Sequence, residues 1–417
     1  MDHVLGLRCV LCGAEYGVDE VRYVCPKHGD EGILDVVYDY DRIRQRLTAQ
    51  TLAADPNRTI WRYKPLLPVR SISPLPSLTV GGTPLYPVER LREHLGLPHL
   101  WVKDDGRQPT ASFKDRASAV GIVKAIELGS EVICAASSGN AASSLAGLSA
   151  SVGLQNVIFV PETAPQAKVA QLLIFGATVI LVRGTYDQAF DLSLEASRLY
   201  GWYSRSTAYN PYMSEGKKTA ALEICEQLHW RSPTHIFVAV GDGCIIGGLG
   251  KGLRDLQALG LIERLPRLMG VQAEGSRVLY EAWRSGTEEI VPVVPATLAD
   301  SIAVGVPRDR IKALRAVRST GGEFLTVTDD EILDAMRTLG RLTGVFAEPA
   351  GAAPLAAVQK MLRQGRLNPE DRIVVVVTGN GLKDVTSAVT AAGTPHRIAP
   401  DLADLKRLVE RLGLEKR

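Results

Sequence analysis

Apolar residues along this chain occur in two patterns, short continuous runs and repeats at helical spacing. The two patterns follow each other along the chain and predict strands that alternate with helices. Nearly continuous runs of valine, isoleucine, leucine and alanine predict buried strands at residues 100–103, 132–136, 157–160, 178–182, 236–240, 268–272 and 373–377. Apolar residues at helical spacing between these runs predict helices at residues 167–175, 188–199, 217–228 and 332–342. Continuous apolar strands that alternate with helices are typical of parallel sheets, so we expect an α/β fold.

The two ends of the chain depart from this alternation. Residues 1–40 are too few to bury much of a core and predict a small separate module. Residues 41–80 predict a charged helical piece followed by an extended, proline-rich arm laid over the body. Near the C-terminus, apolar residues on one face of a predicted helix should pack on the body or on a partner subunit: Leu402, Leu405, Leu408, Val409 and Leu412.

Length and charge narrow the classes of function. A chain of 417 residues can bury a large core and suggests two or three domains. Its 48 basic residues nearly balance 46 acidic ones, and no basic stripe is present, so we do not expect a nucleic-acid partner. The N-terminus has no targeting pattern and no apolar run is long enough to span a membrane, so we expect a cytoplasmic protein without a membrane partner.

The N-terminal module carries a possible metal site. Cys9 and Cys12 form one pair of potential ligands, and Cys25 and His28 form a second pair further along the chain. This spacing suits tetrahedral zinc, and a metal would stabilise a segment with so little core. The alternative is a ribbon that has lost its metal. In either case we expect a structural module, because four protein ligands leave no open position for catalysis.

Lys114 is the first candidate for chemistry. It lies between the predicted strand at residues 100–103 and a helical pattern that follows, and Ser112 and Asp115 have the spacing of a capping box. A lysine in the first helical turn faces the positive end of the helix dipole, and Phe113 should partly desolvate it. Both effects lower the pKa of the amine and favour an imine with an aldehyde. The alternative is an ordinary solvated lysine that follows a cap.

Three turns after apolar strands should meet this lysine at the carboxyl edge of the sheets. The first has small residues and free N–H groups at a helix start, which suits a carboxylate: Ser137, Ser138, Gly139, Asn140 and Ala141. The second, which we call the glycine loop, lets the backbone approach a phosphate: Gly241, Asp242, Gly243, Cys244 and Ile245. The third places the Thr378 hydroxyl at the end of a buried strand, as a neutral partner for a ring nitrogen.

The glycine loop also partly matches a dinucleotide fingerprint. Its glycine spacing differs, however, and the next acidic residue, Glu274, lies further along the chain than that fingerprint requires. A reactive lysine, a phosphate site, a carboxylate site and a neutral hydroxyl together describe pyridoxal phosphate and an amino acid. We therefore favour this cofactor over a nicotinamide.

The order of the motifs carries a family resemblance. Residues 82–85 (Gly-Thr-Pro-Leu), 112–116 (Ser-Phe-Lys-Asp-Arg), 137–140 (Ser-Ser-Gly-Asn), the glycine loop and 378–384 (Thr-Gly-Asn-Gly-Leu-Lys-Asp) resemble those of the fold-type II pyridoxal-phosphate enzymes, and among these the threonine synthases. The resemblance spans residues 81–384, and the N-terminal ribbon is similar to that of some threonine synthases.

The resemblance implies an architecture of two three-layer α/β domains with mainly parallel sheets, in a homodimer. A large cofactor-binding domain would comprise residues 81–120 and 210–400, and a small domain residues 121–209. The zinc-ribbon-like module at 1–40, the arm at 41–80 and a C-terminal helix at 401–417 would complete the chain.

The resemblance also implies a role for each candidate residue. Lys114 would bond to the aldehyde of pyridoxal phosphate and later move protons at Cα and Cβ, and Asn140 would donate to the cofactor's phenolic oxygen. The N–H groups of the glycine loop would hold the phosphate, and Thr378 would face the pyridine nitrogen. The turn from Ser137 to Ala141 would hold the substrate carboxylate.

The implied reaction converts O-phospho-L-homoserine and water to L-threonine and phosphate, but this sequence departs from the family pattern at the substrate phosphate. Ala208 and Met213 stand where a serine and an arginine are expected, and a substitute cation could come from Arg107, Arg205, Lys217 or Lys218. The departure keeps open another β- or γ-elimination or replacement enzyme, such as a serine/threonine dehydratase or a cysteate-synthase-like enzyme. A binding module without activity is a further alternative, against which the presence of Lys114 counts.

Overall fold

A computed structural model of the chain describes residues 1–164 and 166–414. The N-terminal segment forms a three-stranded antiparallel sheet of β1 (Val4–Cys9), β2 (Glu15–Tyr16) and β3 (Leu34–Tyr38), in the order β2-β1-β3. Leu7 and Leu34 are fully buried beneath it. The expected small module is therefore a sheet with its own strands, and it shares one apolar core with the rest of the chain.

A six-stranded sheet forms the larger α/β unit. Its strands lie in the order β12-β11-β10-β13-β5-β4, and every neighbouring pair is parallel except β4 and β5. The strands are β4 (Leu85–Tyr86), β5 (Leu100–Asp104), β10 (His235–Ala239), β11 (Arg267–Ala273), β12 (Glu323–Val327) and β13 (Ile373–Val377). Every residue of β10 and β13 is buried, which explains why these strands lack polar alternation.

A four-stranded parallel sheet forms the smaller unit, in the order β8-β7-β6-β9. Its strands are β6 (Val132–Ala136), β7 (Gln155–Pro161), β8 (Thr178–Val182) and β9 (Tyr203–Ser204). All its strands come from one continuous stretch of chain, whereas the larger sheet is built from segments on both sides of that stretch.

Helices cover both sheets. Their bounds are α1 (Tyr40–Arg44), α2 (Ala49–Ala54), α3 (Glu89–Leu95), α4 (Lys114–Glu127), α5 (Asn140–Ala150), α6 (Gln166–Ile174), α7 (Tyr186–Tyr200), α8 (Tyr212–Gln227), α9 (Cys244–Ala258), α10 (Val278–Arg284), α11 (Arg310–Ser319), α12 (Asp329–Thr343), α13 (Pro349–Arg363), α14 (Val385–Ala392) and α15 (Leu402–Leu412). The fold is α/β, as the hydrophobic pattern predicts. Strand β12 and the short strands β4 and β9 were not predicted from the sequence.

The segment at residues 41–80 begins with the predicted charged helical piece, present as α1 and α2, but its proline-rich part is not the expected extended arm. It contains α1, α2 and a 3₁₀ helix from Ile60 to Leu66, in which Trp61 and Tyr63 are buried. The proline-rich pattern misled the prediction because Pro65 lies within the 3₁₀ helix, and buried aromatic residues anchor this helix to the body.

The C-terminal helix α15 has the predicted bounds, but its apolar face is not covered by the body. Leu402 is 65% exposed and Leu405 is 43% exposed. The predicted segment continues to residue 417, and residues 415–417 lie outside the described part of the chain. Within the described residues, no helix has the length and apolar character needed to cross a membrane.

Candidate active site

Lys114 is the first residue of α4, at the carboxyl edge of the larger sheet. The loop after β13 holds the turn that precedes it: the Phe113 N–H donates to the Thr378 carbonyl at 2.9 Å, and the Asn380 N–H donates to the Ala111 carbonyl at 3.0 Å. These two bonds tie together segments that are far apart in the sequence. They place Lys114 and Thr378 on the wall of one cavity.

The predicted capping box is wrong. The residue before α4 is Phe113, and no side chain caps the helix. The Asp115 carboxylate instead accepts from the Thr110 N–H at 2.7 Å, and the buried Ser112 hydroxyl has no hydrogen-bond partner among the described residues. The local rule fails because Ala111 adopts a left-handed conformation (φ 64°) and the loop after β13 bonds the turn backbone.

The surroundings of Lys114 favour a neutral amine. Burial lowers the pKa of Lys114, and the nearby Arg205 guanidinium lowers it further, although the Glu348 carboxylate opposes the shift. An amine with a lowered pKa is a better nucleophile toward an aldehyde. The geometry thus supports a reactive lysine here over a solvated one.

The glycine loop joins β10 to α9 and faces Lys114. Gly243 has φ 91°, and a Cβ added there would lie 2.7 Å from the Ala313 Cβ, so only glycine fits without strain. Helix α9 begins at Cys244 with no side-chain cap, which leaves its first N–H groups free for an anion. Beyond the loop, the cavity is lined by Lys114, Thr207, Lys217, Ser301, Ala350 and Thr378.

The turn after β6 lies beside this cavity. Helix α5 starts at Asn140, again without a side-chain cap, so the N–H groups of Asn140 and Ala141 are free for a carboxylate, while those of Ala142 and Ser143 donate to the Gly139 carbonyl. The Asn140 amide donates to both oxygens of Glu348, at 2.9 and 3.0 Å, and approaches the Ser301 hydroxyl at 3.4 Å. Ser301 and Lys114 both line the cavity, which places Asn140 at its margin.

Glu348 was not predicted as a site residue. It precedes Pro349 at the start of α13, is 3% exposed, and lies close enough to Lys114 for their charges to affect each other's pKa. Burial raises the pKa of its carboxyl, and the Asn140 amide and Lys114 partly offset that rise. The sequence did offer a signal for this residue, because Glu348 stands directly before Pro349, and proline is common at the first position of a helix.

The four predicted metal ligands come together in the N-terminal module. Potential ligand atoms of Cys9, Cys12, Cys25 and His28 lie within 4.8 Å of one another, which a single tetrahedral ion could bridge. Burial disfavours the Cys25 thiolate, but hydrogen bonds with Tyr16 and His28 outweigh burial and lower the pKa of Cys25 to about 6. The cluster could therefore hold a metal, and its donor set suits zinc.

The same module reaches the candidate active site. Ile33 packs with Ala208 and Cys244, the first residue of α9, in one small apolar cluster. The Lys312 ammonium, from α11 behind the glycine loop, donates to the Leu34 carbonyl at 2.9 Å and pairs with Asp35 at 2.6 Å. The module thus supports the outer side of the glycine loop.

The residues that line the cavity fit pyridoxal phosphate. An uncapped helix start and two glycines suit its phosphate, a lysine with a lowered pKa suits its aldehyde, and a hydroxyl at a strand end suits its ring nitrogen. The sequence profile of a family described as pyridoxal-phosphate dependent enzyme matches residues 76–379. This chain belongs to that family.

Known proteins are similar to most of the chain. It is 40% identical over 407 residues to a threonine synthase from Methanocaldococcus jannaschii, covering 97% of this chain and 99% of that protein. A threonine synthase from Methanosarcina acetivorans is 39% identical over 97% of this chain and 98% of its own length. A solved threonine deaminase from Solanum lycopersicum has a TM-score of 0.65 at 22% identity, covering 85% of this chain and 95% of that one, and supports the fold alone.

Met213 and Ala208, the two residues of this pyridoxal-phosphate enzyme that depart from the expected pattern, both lie outside the cavity lining. The Met213 side chain is fully buried and packs against Gly121 of α4, so it fills the contact between α4 and α8 and does not line the cavity. Ala208 has φ 71° and is covered by Ile33. Neither residue supplies charge to the site.

Proposed function

We propose that this chain is a threonine synthase, which uses pyridoxal phosphate to convert O-phospho-L-homoserine and water to L-threonine and phosphate. The observation that carries the proposal is the meeting of Lys114 with the uncapped start of α9 in one cavity. Similarity to threonine synthases over 97% of the chain supports the substrate.

Each cavity residue has a part in this proposal. Lys114 would bond to the cofactor's aldehyde, the N–H groups from Gly241 to Ile245 would bind its phosphate, and Thr378 would contact its ring nitrogen. The Asn140 amide contacts its phenolic oxygen and is held in place by Glu348. The turn before α5 and the start of the helix, with Ser137, Ser138, Gly139 and Ala141, would bind the substrate carboxylate.

The chemistry divides between cofactor and protein. Bound pyridoxal phosphate supplies an electron sink for the substrate's carbon atoms. The Lys114 amine, once free of the aldehyde, would take protons from Cα and Cβ, return one to Cγ, from which phosphate leaves, and return the other to Cα. Water then adds its hydroxyl at Cβ, so that substrate plus water balances threonine plus phosphate. Burial of the amine favours this role, because it keeps the pKa of Lys114 low enough to release a proton.

The second candidate is a serine or threonine dehydratase of the same family. It is favoured by one observation: Ala208 and Met213 contribute no hydroxyl or guanidinium for a substrate phosphate. The deaminase similarity contributes only a shared fold.

The test is phosphate release from O-phosphohomoserine by the purified holoenzyme, with amino-acid analysis of the product. Serine and threonine are run in parallel for keto-acid formation. Equal amounts of phosphate and threonine support the synthase, whereas keto acid without phosphate supports the dehydratase. Lys114→Ala should lower either activity by at least about 10³-fold and abolish the visible absorbance of the lysine-bound cofactor.

We also propose that Cys9, Cys12, Cys25 and His28 bind one structural zinc ion. The support is the mutual distance of the four ligand atoms and the lowered pKa of Cys25. Metal analysis of carefully purified protein should find about one zinc per chain, and Cys12→Ser should reduce it. If the wild-type protein contains no more zinc than Cys12→Ser, the zinc proposal is wrong. The assignment of Lys114 does not depend on this result.

We further propose a homodimer in which a second subunit covers the apolar face of α15. The exposed Leu402 and Leu405 support it, because a face of this kind is normally buried. Sedimentation should give twice the mass of the chain, and Leu402→Glu with Leu405→Glu should shift it to the monomer. A wild-type monomer would contradict this proposal.

A further inference from the structure

Lys217 is an unusual residue in the cavity wall. It lies on α8, is fully buried, and its ammonium has no hydrogen-bond partner among the described residues. It nevertheless lines the same cavity as Lys114 and the glycine loop. Because a buried ammonium without a partner is unfavourable, a fold does not retain one for stability.

Arg205 is a second buried cation without a carboxylate partner in the described structure. It is 3% exposed and follows β9. Its Nε and Nη2 atoms both donate to the Ser118 hydroxyl at 3.3 Å, and Nη1 donates to the Thr207 hydroxyl at 3.1 Å. Thr207 lines the cavity beside Lys217, so Arg205 is held at the cavity margin by neutral groups.

The other cations that the sequence offered are unsuitable. The Lys218 ammonium is bonded to Glu215 and Asp255, each at 2.6 Å, and the Arg107 side chain is exposed. Cys244 and, more weakly, Asp309 raise the pKa of Lys217 through space, but neither is bonded to its ammonium, and neither Asp309 oxygen has a hydrogen-bond partner in the described structure. Arg205 and Lys217 are therefore left without a counterion from the protein.

We propose that Lys217 and Arg205 form the cationic part of a binding site for the phosphate group of the substrate. The inference rests on the proposed function and names the residues that replace the missing serine and arginine. The cofactor's phosphate has the N–H groups of the glycine loop, so the two cations remain for a second dianion. Each can form charge-assisted hydrogen bonds, and together they match the charge of a phosphate.

The test uses the holoenzyme and inorganic phosphate, with binding measured by calorimetry. Lys217→Gln keeps a polar side chain and removes the charge, and it should weaken phosphate binding by about tenfold or more. It should raise the KM for O-phosphohomoserine more than it lowers kcat. Lys217→Arg should restore much of the affinity, and Arg205→Gln provides an independent variant if Lys217→Gln does not fold.

Arg107→Gln is the matched control, because it removes one positive charge from the surface near the lysine turn. It should change phosphate binding by less than about twofold, since solvent screens an exposed charge. The affinity of the apoenzyme for pyridoxal phosphate separates the two possible phosphates. If Lys217→Gln abolishes cofactor binding and leaves phosphate binding unchanged, Lys217 belongs to the cofactor's phosphate and the inference is wrong.

The inference and the proposed function can fail separately. If wild-type holoenzyme forms threonine but binds inorganic phosphate equally well with and without Lys217, only the inference fails. If it releases no phosphate from O-phosphohomoserine yet binds inorganic phosphate through Lys217, the proposed reaction fails and the anion site stands.

Discussion

Two groups of buried cations differ in whether the protein neutralises them. In the first, which we call the paired cluster, Arg116 bonds to Asp105 at 2.6 Å and to Glu223 at 2.7 and 2.8 Å. Lys103 in the same cluster bonds to Glu223 at 2.7 Å. In the second, the unpaired cations Lys217 and Arg205 have no carboxylate partner in the described structure.

The difference indicates that the paired cluster stabilises the fold, whereas the unpaired cations are available to bind a ligand. All residues of the paired cluster are at most 3% exposed, and its charges and donors are satisfied within the chain. The positive charges of Lys103 and Arg116 outweigh burial and lower the pKa of Glu223 to about 2. The unpaired cations are equally buried but border a cavity, in which, by our proposal, the phosphate group of the substrate would neutralise them. Two groups of buried cations thus differ in role, because only the paired cluster contains its own carboxylates.

The largest effect is expected from breaking the paired cluster. Glu223→Gln leaves Lys103 and part of Arg116 buried without their counterion and should lower the free energy of unfolding by about 3–5 kcal/mol. Denaturant unfolding measures this change. Glu288→Gln, which removes one partner of a half-exposed pair with Arg315, is the control and should cost less than about 1 kcal/mol. Equal effects of both substitutions would contradict the comparison.

The second effect is that replacing Lys217 should raise the free energy of unfolding, whereas replacing Glu223 should lower it. Its size depends on pH. Burial lowers the pKa of Lys217 to about 8, and Arg205 and Lys114 contribute to this shift. Between this pH and the usual pKa of a lysine, the unfolded chain keeps a proton that the folded protein has released, so stability rises with pH. The rise should reach up to about 3 kcal/mol, since one pKa unit corresponds to about 1.4 kcal/mol.

Lys217→Met isolates this contribution, because the other titrating groups are common to both proteins. The variant should be more stable than wild type at pH 7 in phosphate-free buffer, and the difference should shrink as the pH increases above about 8. Unfolding curves across this pH range provide the measurement. Parallel stability profiles for the two proteins would show that Lys217 is not a buried, unpaired cation.

Features that depend on a few consecutive residues could be predicted from the sequence. The bounds of β6 and β13 follow from apolar runs, and the glycine loop and Lys114 from turns at strand ends. What it missed depends on long-range packing. Glu348 reaches Asn140 across 208 residues, and the turn before Lys114 is shaped by the loop after β13 and not by a capping box. Likewise, four cations were possible for a phosphate, and only their buried partners distinguish Lys217 and Arg205 from Lys218.

The smallest effect concerns how Arg205 is held. The Ser118 hydroxyl accepts from two nitrogens of Arg205 and from the Ser144 hydroxyl, the last at 2.7 Å. Ser118→Ala removes a neutral partner and should lower the free energy of unfolding by about 1 kcal/mol. It should also weaken phosphate binding by about threefold, because the guanidinium loses its fixed orientation. Ser144→Ala, which does not remove a group that contacts Arg205, should affect stability alone. If Ser118→Ala lowers stability without changing phosphate affinity, Arg205 does not bind the anion, and Lys217 alone would distinguish the cavity from the paired cluster.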